Sequence, residues 1–249
     1  MAIILDADHF KGWGTEDFIS SLQEFRDQYP YGKHPIIDAM CEGELSRDDL
    51  RAFLIQWWWL GAVGSEQMLP HILGAMPVDP ALYPMKKKII TNCYEEFYEP
   101  AIHPEINVDM IVSGCGISRE DVYKSEVFSE TSAVCATMER YIAKGWKEGV
   151  MALMWSIESQ SPVQFSRQGP ALREKYGFTD TRFPDIHVEA DMEHAGDADD
   201  FCRLILEPKN MQDLWNAAAD SVTAIWNWHD AMYQRFFPEG RSSRLKAVA

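Results

Sequence analysis

Within residues 187–194 (HVEADMEH), His187, Asp191 and His194 stand at i, i+4 and i+7. At about 100° per residue on a helix, these three side chains fall within roughly 60° of one another. Glu189 and Glu193 point elsewhere. The same stripe continues through Ala198, Phe201 and Ile205, an apolar row of the kind that faces a core. Two imidazoles and a carboxylate directed inward need a partner that replaces their lost hydration, and a divalent metal ion is the commonest partner for that mixture. Taken singly, His187 or His194 reads as a hydrogen-bonded structural histidine. The triplet on one face is what points to a metal, and one helix cannot complete its coordination.

Two further segments offer ligands. Glu96 and His103 are seven residues apart, in line with Met85, Ile89 and Cys93 on one helical face, with Pro100 and Pro104 expected to kink or end that helix near His103. Glu158 has Met151, Met154, Trp155, Pro162 and Phe165 at helical spacings around it. A carboxylate in so apolar a stripe is either paired or a ligand, because an unpaired buried charge costs several kcal/mol. Each has a plainer reading. Glu95, Glu96 and Glu99 could form a solvated acidic face, and Glu158 could bond Arg167 or a backbone group. Together, however, the three helices present Glu96, His103, Glu158, His187, Asp191 and His194. Three carboxylates and three histidines suffice as ligands for two iron or manganese ions. Without metal, the three carboxylates should repel and desolvate one another, which would raise their pKa values and weaken the fold as pH rises.

Helical periodicity dominates the chain and strand alternation is nearly absent. A first helix opens at Thr15 and runs to about Asp27, and a short one covers about 34–41. Ser46 caps a long segment through Trp57, Trp58 and Trp59, with Pro70 and Pro77 interrupting beyond. Further helices are expected at about 83–103, 127–144, 147–176, 184–206 and 210–237. Pro162 and Pro170 should break the 147–176 segment, and 107–124 reads as a loop holding a short helix opened by Ser118. Adjacent tryptophans point in three directions on a helix, so two should pack in the core while the third reaches a groove or a homodimer contact.

Composition narrows the function. The 249 residues carry 39 acidic and 23 basic side chains, a net charge of −16. Nucleic acid and anionic membrane surfaces are disfavoured as partners, since phosphates would be repelled. Five cysteines with no CxxC spacing read as reduced thiols of a cytoplasmic protein. No signal peptide or membrane span is evident, and apolar content of 46 % suffices for one large domain over residues 1–249.

The pattern of Glu96 and His103, then Glu158, then His187, Asp191 and His194 resembles the haem-oxygenase-like diiron oxidases. His34-Pro35, the stretches 43–51 (GELSRDDLR), 158–162 (ESQSP) and 173–178 (REKYGF), and residues 187–194 look closest to CADD-type proteins and pyrroloquinoline-quinone synthase C. The resemblance spans about residues 20–235. It implies an all-α, haem-oxygenase-like helical bundle with two Fe(II) ions, manganese being an alternative in one position, held by those six residues. It also implies dioxygen as co-substrate, an external reductant, and a small-molecule substrate such as an amino acid or fatty acid. Arg167 is the candidate for a substrate carboxylate and Trp155 for the pocket wall.

Departures from the family refine this. Some CADD-type members consume their own tyrosine and lysine to make 4-aminobenzoate, and Ile37 and Gln168 stand at those positions here, with Phe53 in place of a further pocket tyrosine. An external substrate is therefore expected. A ferritin-like site would show Glu-x-x-His on two helices, and no Glu lies three residues before any His. A thiaminase-like relative would need a cysteine nucleophile, expected on the helix of Glu158, yet no cysteine lies between Lys147 and Tyr176. A cofactor-free oxidase resembling pyrroloquinoline-quinone synthase C, or a non-catalytic partner-binding protein, remains the alternative. The cofactor-free oxidase would not need three inward carboxylates.

Overall fold

A computed structural model describes residues 5–98 and 102–238, with the backbone alone for residues 7, 65 and 189–196. Every regular element among the described residues is helical, and no strand is present among them. Helix α1 spans Thr15–Arg26, α2 Pro35–Glu42 and α3 Arg47–Val63. A π-helical turn at Gly64–Met68 carries α3 into α4, Leu69–Ala75. Then come α5 (Tyr83–Phe97), α6 (His103–Cys115), α7 (Arg119–Tyr123), α8 (Ser129–Lys144) and α9 (Trp146–Val150). A second π-helical stretch, Met151–Glu158, precedes α10 (Ser161–Tyr176), α11 (Arg182–Ile205) and α12 (Met211–Phe236).

Local chemistry accounts for most boundaries. The Ser46 hydroxyl accepts from the Asp49 N–H and starts α3, and His34 caps α2 by accepting from the Ile36 N–H. Gly43, Gly116 and Gly177 end α2, α6 and α10 in the left-handed conformation, with φ of 75°, 67° and 70°. Three expectations from sequence need correction. Glu96 and His103 do not share a helix: α5 ends at Phe97, and His103 opens α6, where Pro104 fits because the first helical turn needs no donor there. Most of the 107–124 segment is α6 and α7 rather than loop, since Asn107 to Cys115 supplies the buried row Val108, Met110 and Ile111. Pro162 starts α10, and Pro170 lies inside it without ending it.

The core is one contiguous apolar cluster, from Phe10 at one end of the chain to Tyr233 at the other. Helix α12 packs along the 151–158 stretch, and α10 lies between α2 and α11. A buried polar tie crosses the bundle. The Trp228 indole N–H donates to Thr131 Oγ1 (2.9 Å), whose hydroxyl donates to Gln56 Oε1 (2.7 Å), joining α12, α8 and α3. Trp57 and Trp58 are buried, whereas Trp59 is half-buried and its N–H donates to Ser125 Oγ. No described helix is long and apolar enough to cross a membrane, and all five cysteines are free thiols.

Candidate metal centre

Helices α5, α6, α10 and α11 and the 151–158 stretch surround a cavity of about 110 Å³. Glu96, from the last turn of α5, meets His103, from the first residue of α6, across the break between them: Oε1 lies 3.2 Å from His103 Nδ1. His187, in the second turn of α11, brings its Nε2 to 3.7 Å from the same oxygen. Ligand atoms of Glu96, His103 and His187 all lie within 4.8 Å of one another. The imidazoles of His103 and His187 face each other with ring centroids 4.7 Å apart. Both histidines are buried, and the Glu96 side chain is 18 % exposed.

Glu158 reaches the same cavity from the end of the π-helical stretch. Asn92, buried on α5 one turn before Glu96, donates its amide to both Glu158 oxygens at 3.1 and 3.2 Å. The Ser161 hydroxyl donates to the Glu158 carbonyl (3.1 Å), and Tyr31 Oη donates to the Ile157 carbonyl (2.7 Å), holding the end of the wide turn. A π-helical turn, closed by i→i+5 hydrogen bonds, takes in more residues than an α turn. It thereby rephases the side chains: Leu153, Ile157 and Glu158 face the cavity, while Trp155 turns away and donates its N–H to Asp199 (3.0 Å).

The donor set fits a divalent ion. His187 Nδ1 donates to the Phe183 carbonyl at 2.7 Å, which orients the ring with Nε2 toward Glu96, an N–H there when the imidazole is charged and a ligand lone pair when it is neutral. His103 Nε2 is fully buried with no hydrogen-bond partner among the described residues, a cost that ligation or a bound molecule would relieve. Burial by itself would raise the Glu96 carboxyl. The hydrogen bonds and charge of His103 and His187 outweigh it and hold the group at about 2. The sequence-based expectation of a raised Glu96 therefore had the wrong sign, because each carboxylate was imagined facing others rather than two imidazoles.

Of the six residues singled out in the sequence, Glu96, His103 and His187 converge and Glu158 lines the same cavity. The side chains of Asp191 and His194 lie outside the described residues. Arg167 stands apart from the cavity wall, donating to the Gly32 carbonyl and to Asp38 Oδ1 (2.8 and 2.6 Å) on the α2 side of α10. Sequence reasoning passed over Asn92 and Asn107. Both follow the helical spacing of a ligand, at Glu96 minus four and His103 plus four, and that spacing was the available signal.

Residues 51–226 match the model of the iron-containing redox enzyme family, more than half of the chain. The protein belongs to that family. No curated protein is detectably similar in sequence. Among solved structures, a TenA homologue from Pseudomonas syringae pv. tomato superimposes with a TM-score of 0.74 at 14 % identity, covering 94 % of this chain and 98 % of that one. A CADD-like protein of Nostoc punctiforme PCC 73102 gives 0.67 at 15 % identity over 89 % and 99 % of the two chains. A haem-oxygenase-like domain from Shewanella denitrificans OS217 gives 0.66 at 13 % over 94 % of each. These likenesses establish the haem-oxygenase-like fold.

Proposed function

We propose that the protein is a non-haem diiron oxygenase or oxidase that uses dioxygen to oxidise an external small molecule. The observation that carries this reading is the convergence of Glu96, His103 and His187 on one point of a cavity that Glu158 also lines. In this reading those three hold one iron, and Glu158, Asp191 and His194 complete the second position, Asp191 and His194 being assigned from sequence. Bound iron supplies the reduction of dioxygen, with electrons from substrate or an external reductant. The chain's own groups hold the centre in shape. The Phe183 carbonyl orients the His187 ring, and Asn92 restrains both Glu158 oxygens. Trp57, Leu153, Phe165 and Phe183 keep water from the cavity.

The TenA likeness raises a thiaminase-type reading, which needs an activated thiol. Cys93, three residues before Glu96, is the thiol affected by both Glu96 and Glu158. Burial raises it first, and the two carboxylates raise it further, the reverse of what a nucleophile requires. A cofactor-free oxidase would have no use for three converging ligand atoms. Anaerobic Fe(II) loading followed by metal analysis tests the proposal: about two irons per chain are expected, by analogy with dinuclear helix-bundle sites. A chain that retains none overturns it.

A further inference from the structure

Among the described residues, the cavity wall beside the candidate ligands contains no lysine or arginine. A substrate anion would find no lysine or arginine countercharge there, and the imidazoles of His103 and His187 are already paired with Glu96. The wall does contain hydrogen-bonding groups that the protein leaves unused. Asn107, 2 % exposed and one turn beyond His103 on α6, lines the cavity with a carboxamide that has no hydrogen-bond partner among the described residues. Trp58, which lines the same cavity from α3, keeps a buried indole N–H with no partner among the described residues. A buried indole N–H left unbonded costs roughly 1–3 kcal/mol, and the Asn107 amide that lines the same cavity offers a second donor to a ligand that satisfies the first. The rest of the wall is mostly aromatic and aliphatic, including Phe165, Phe183 and Leu69, and the Ser161 hydroxyl there already donates to the Glu158 carbonyl.

We infer that the cavity takes an uncharged, largely apolar molecule carrying a hydrogen-bond acceptor such as a carbonyl or carboxamide oxygen, and that Asn107 and Trp58 read that group. This rests on the proposed function only in calling the ligand a substrate, since the recognition belongs to the wall rather than to the metal. Both groups donate to one acceptor, which an alkane lacks. A carboxylate could use the same donors, but it would be desolvated beside Glu96 and Glu158, with no lysine or arginine among the described wall residues to offset the loss and the imidazoles committed to Glu96.

Hexanamide and hexanoate, matched in chain length, are suitable probes. Their binding is measured by tryptophan fluorescence or calorimetry, in metal-free protein and in anaerobic Fe(II)-loaded protein. Hexanamide is expected to bind at least about tenfold more tightly than hexanoate in both states. Asn107→Leu, close to isosteric, should reduce hexanamide affinity about tenfold while leaving the melting temperature and the iron content unchanged. Trp58→Phe, which keeps the ring and removes the N–H, should shift hexanamide affinity in the same direction. Equal or tighter binding of hexanoate, or hexanamide affinity unmoved in both variants, overturns the inference. A protein that fails to retain iron but still prefers the amide sinks the diiron proposal and leaves this one standing.

Discussion

His187 donates its Nδ1 proton to the carbonyl of Phe183, one turn earlier on α11, at 2.7 Å. The same bond that satisfies a buried imidazole sets which nitrogen faces the centre, and that nitrogen, Nε2, lies 3.7 Å from Glu96. An ordinary i to i−4 helix contact thus decides the chemistry of the centre before any ion arrives. His229 repeats the arrangement on α12, where Nδ1 lies 2.8 Å from the Ile225 carbonyl, but there Nε2 meets Gln164 and no carboxylate. Partner choice separates a ligand from a structural histidine in this fold.

Asp191→Ala or Glu158→Ala is expected to abolish oxygen uptake, whereas Glu193→Ala should leave it intact. Asp191 follows His187 by four residues and shares its helical face, while Glu193, two residues further, is rotated by about 200°. Oxygen-electrode traces with Fe(II) and reductant decide it. Equal damage from Glu193→Ala would show that the inward face of α11 is wrongly assigned.

Asn92→Leu should weaken iron retention about 10–100-fold, with little change in the helical content. The amide holds both Glu158 oxygens, and a leucine of similar volume would remove those two bonds and loosen the carboxylate. Competition against a chelator of known affinity measures the loss. Asn92→Asp should be worse, since it places a second carboxylate against the first.

Incubation with Fe(II), reductant and dioxygen should yield no 4-aminobenzoate and no matching mass loss in the protein. Ile37 offers only hydrocarbon, and Gln168 cannot give up an amine as lysine can; both are fully buried, with Gln168 Nε2 unpartnered among the described residues. Intact-protein mass spectrometry is the check, and a modified Gln168 would refute it.

Much of this centre was legible because it obeys helical arithmetic. His187 stands where the spacing placed it, on a helix whose apolar face is core, and Ser46, Gly43 and Gly177 mark boundaries by their own chemistry. Trp155 was misread because the stripe through Met151, Met154 and Glu158 was counted at 3.6 residues per turn, and residues 151–158 are π-helical. No residue type announces a π turn, and this one lies packed against α12. Glu96 and His103 were rightly paired for the wrong reason, as the ends of two helices rather than one face of a single helix. Arg167 could not be placed without knowing that Asp38 on α2 lies beside it.

The pH response of the metal-free protein follows from Glu96. Its carboxyl is held at about 2 against an ordinary value of 4.5 because His103 and His187 outweigh the cost of burial. A depressed folded value means the unfolded chain binds the proton first as the solution is acidified. The stabilisation is therefore present above about pH 4.5 and is lost as pH falls toward about 2. The advantage of wild type over Glu96→Gln is expected to be on the order of 2–3 kcal/mol near pH 5.5. It should shrink steadily below about pH 4.5. Urea unfolding of both metal-free proteins between about pH 3 and 6 measures the gap. A gap that widens on acidification would mean that Glu96 is raised, and that the imidazoles do not hold its charge.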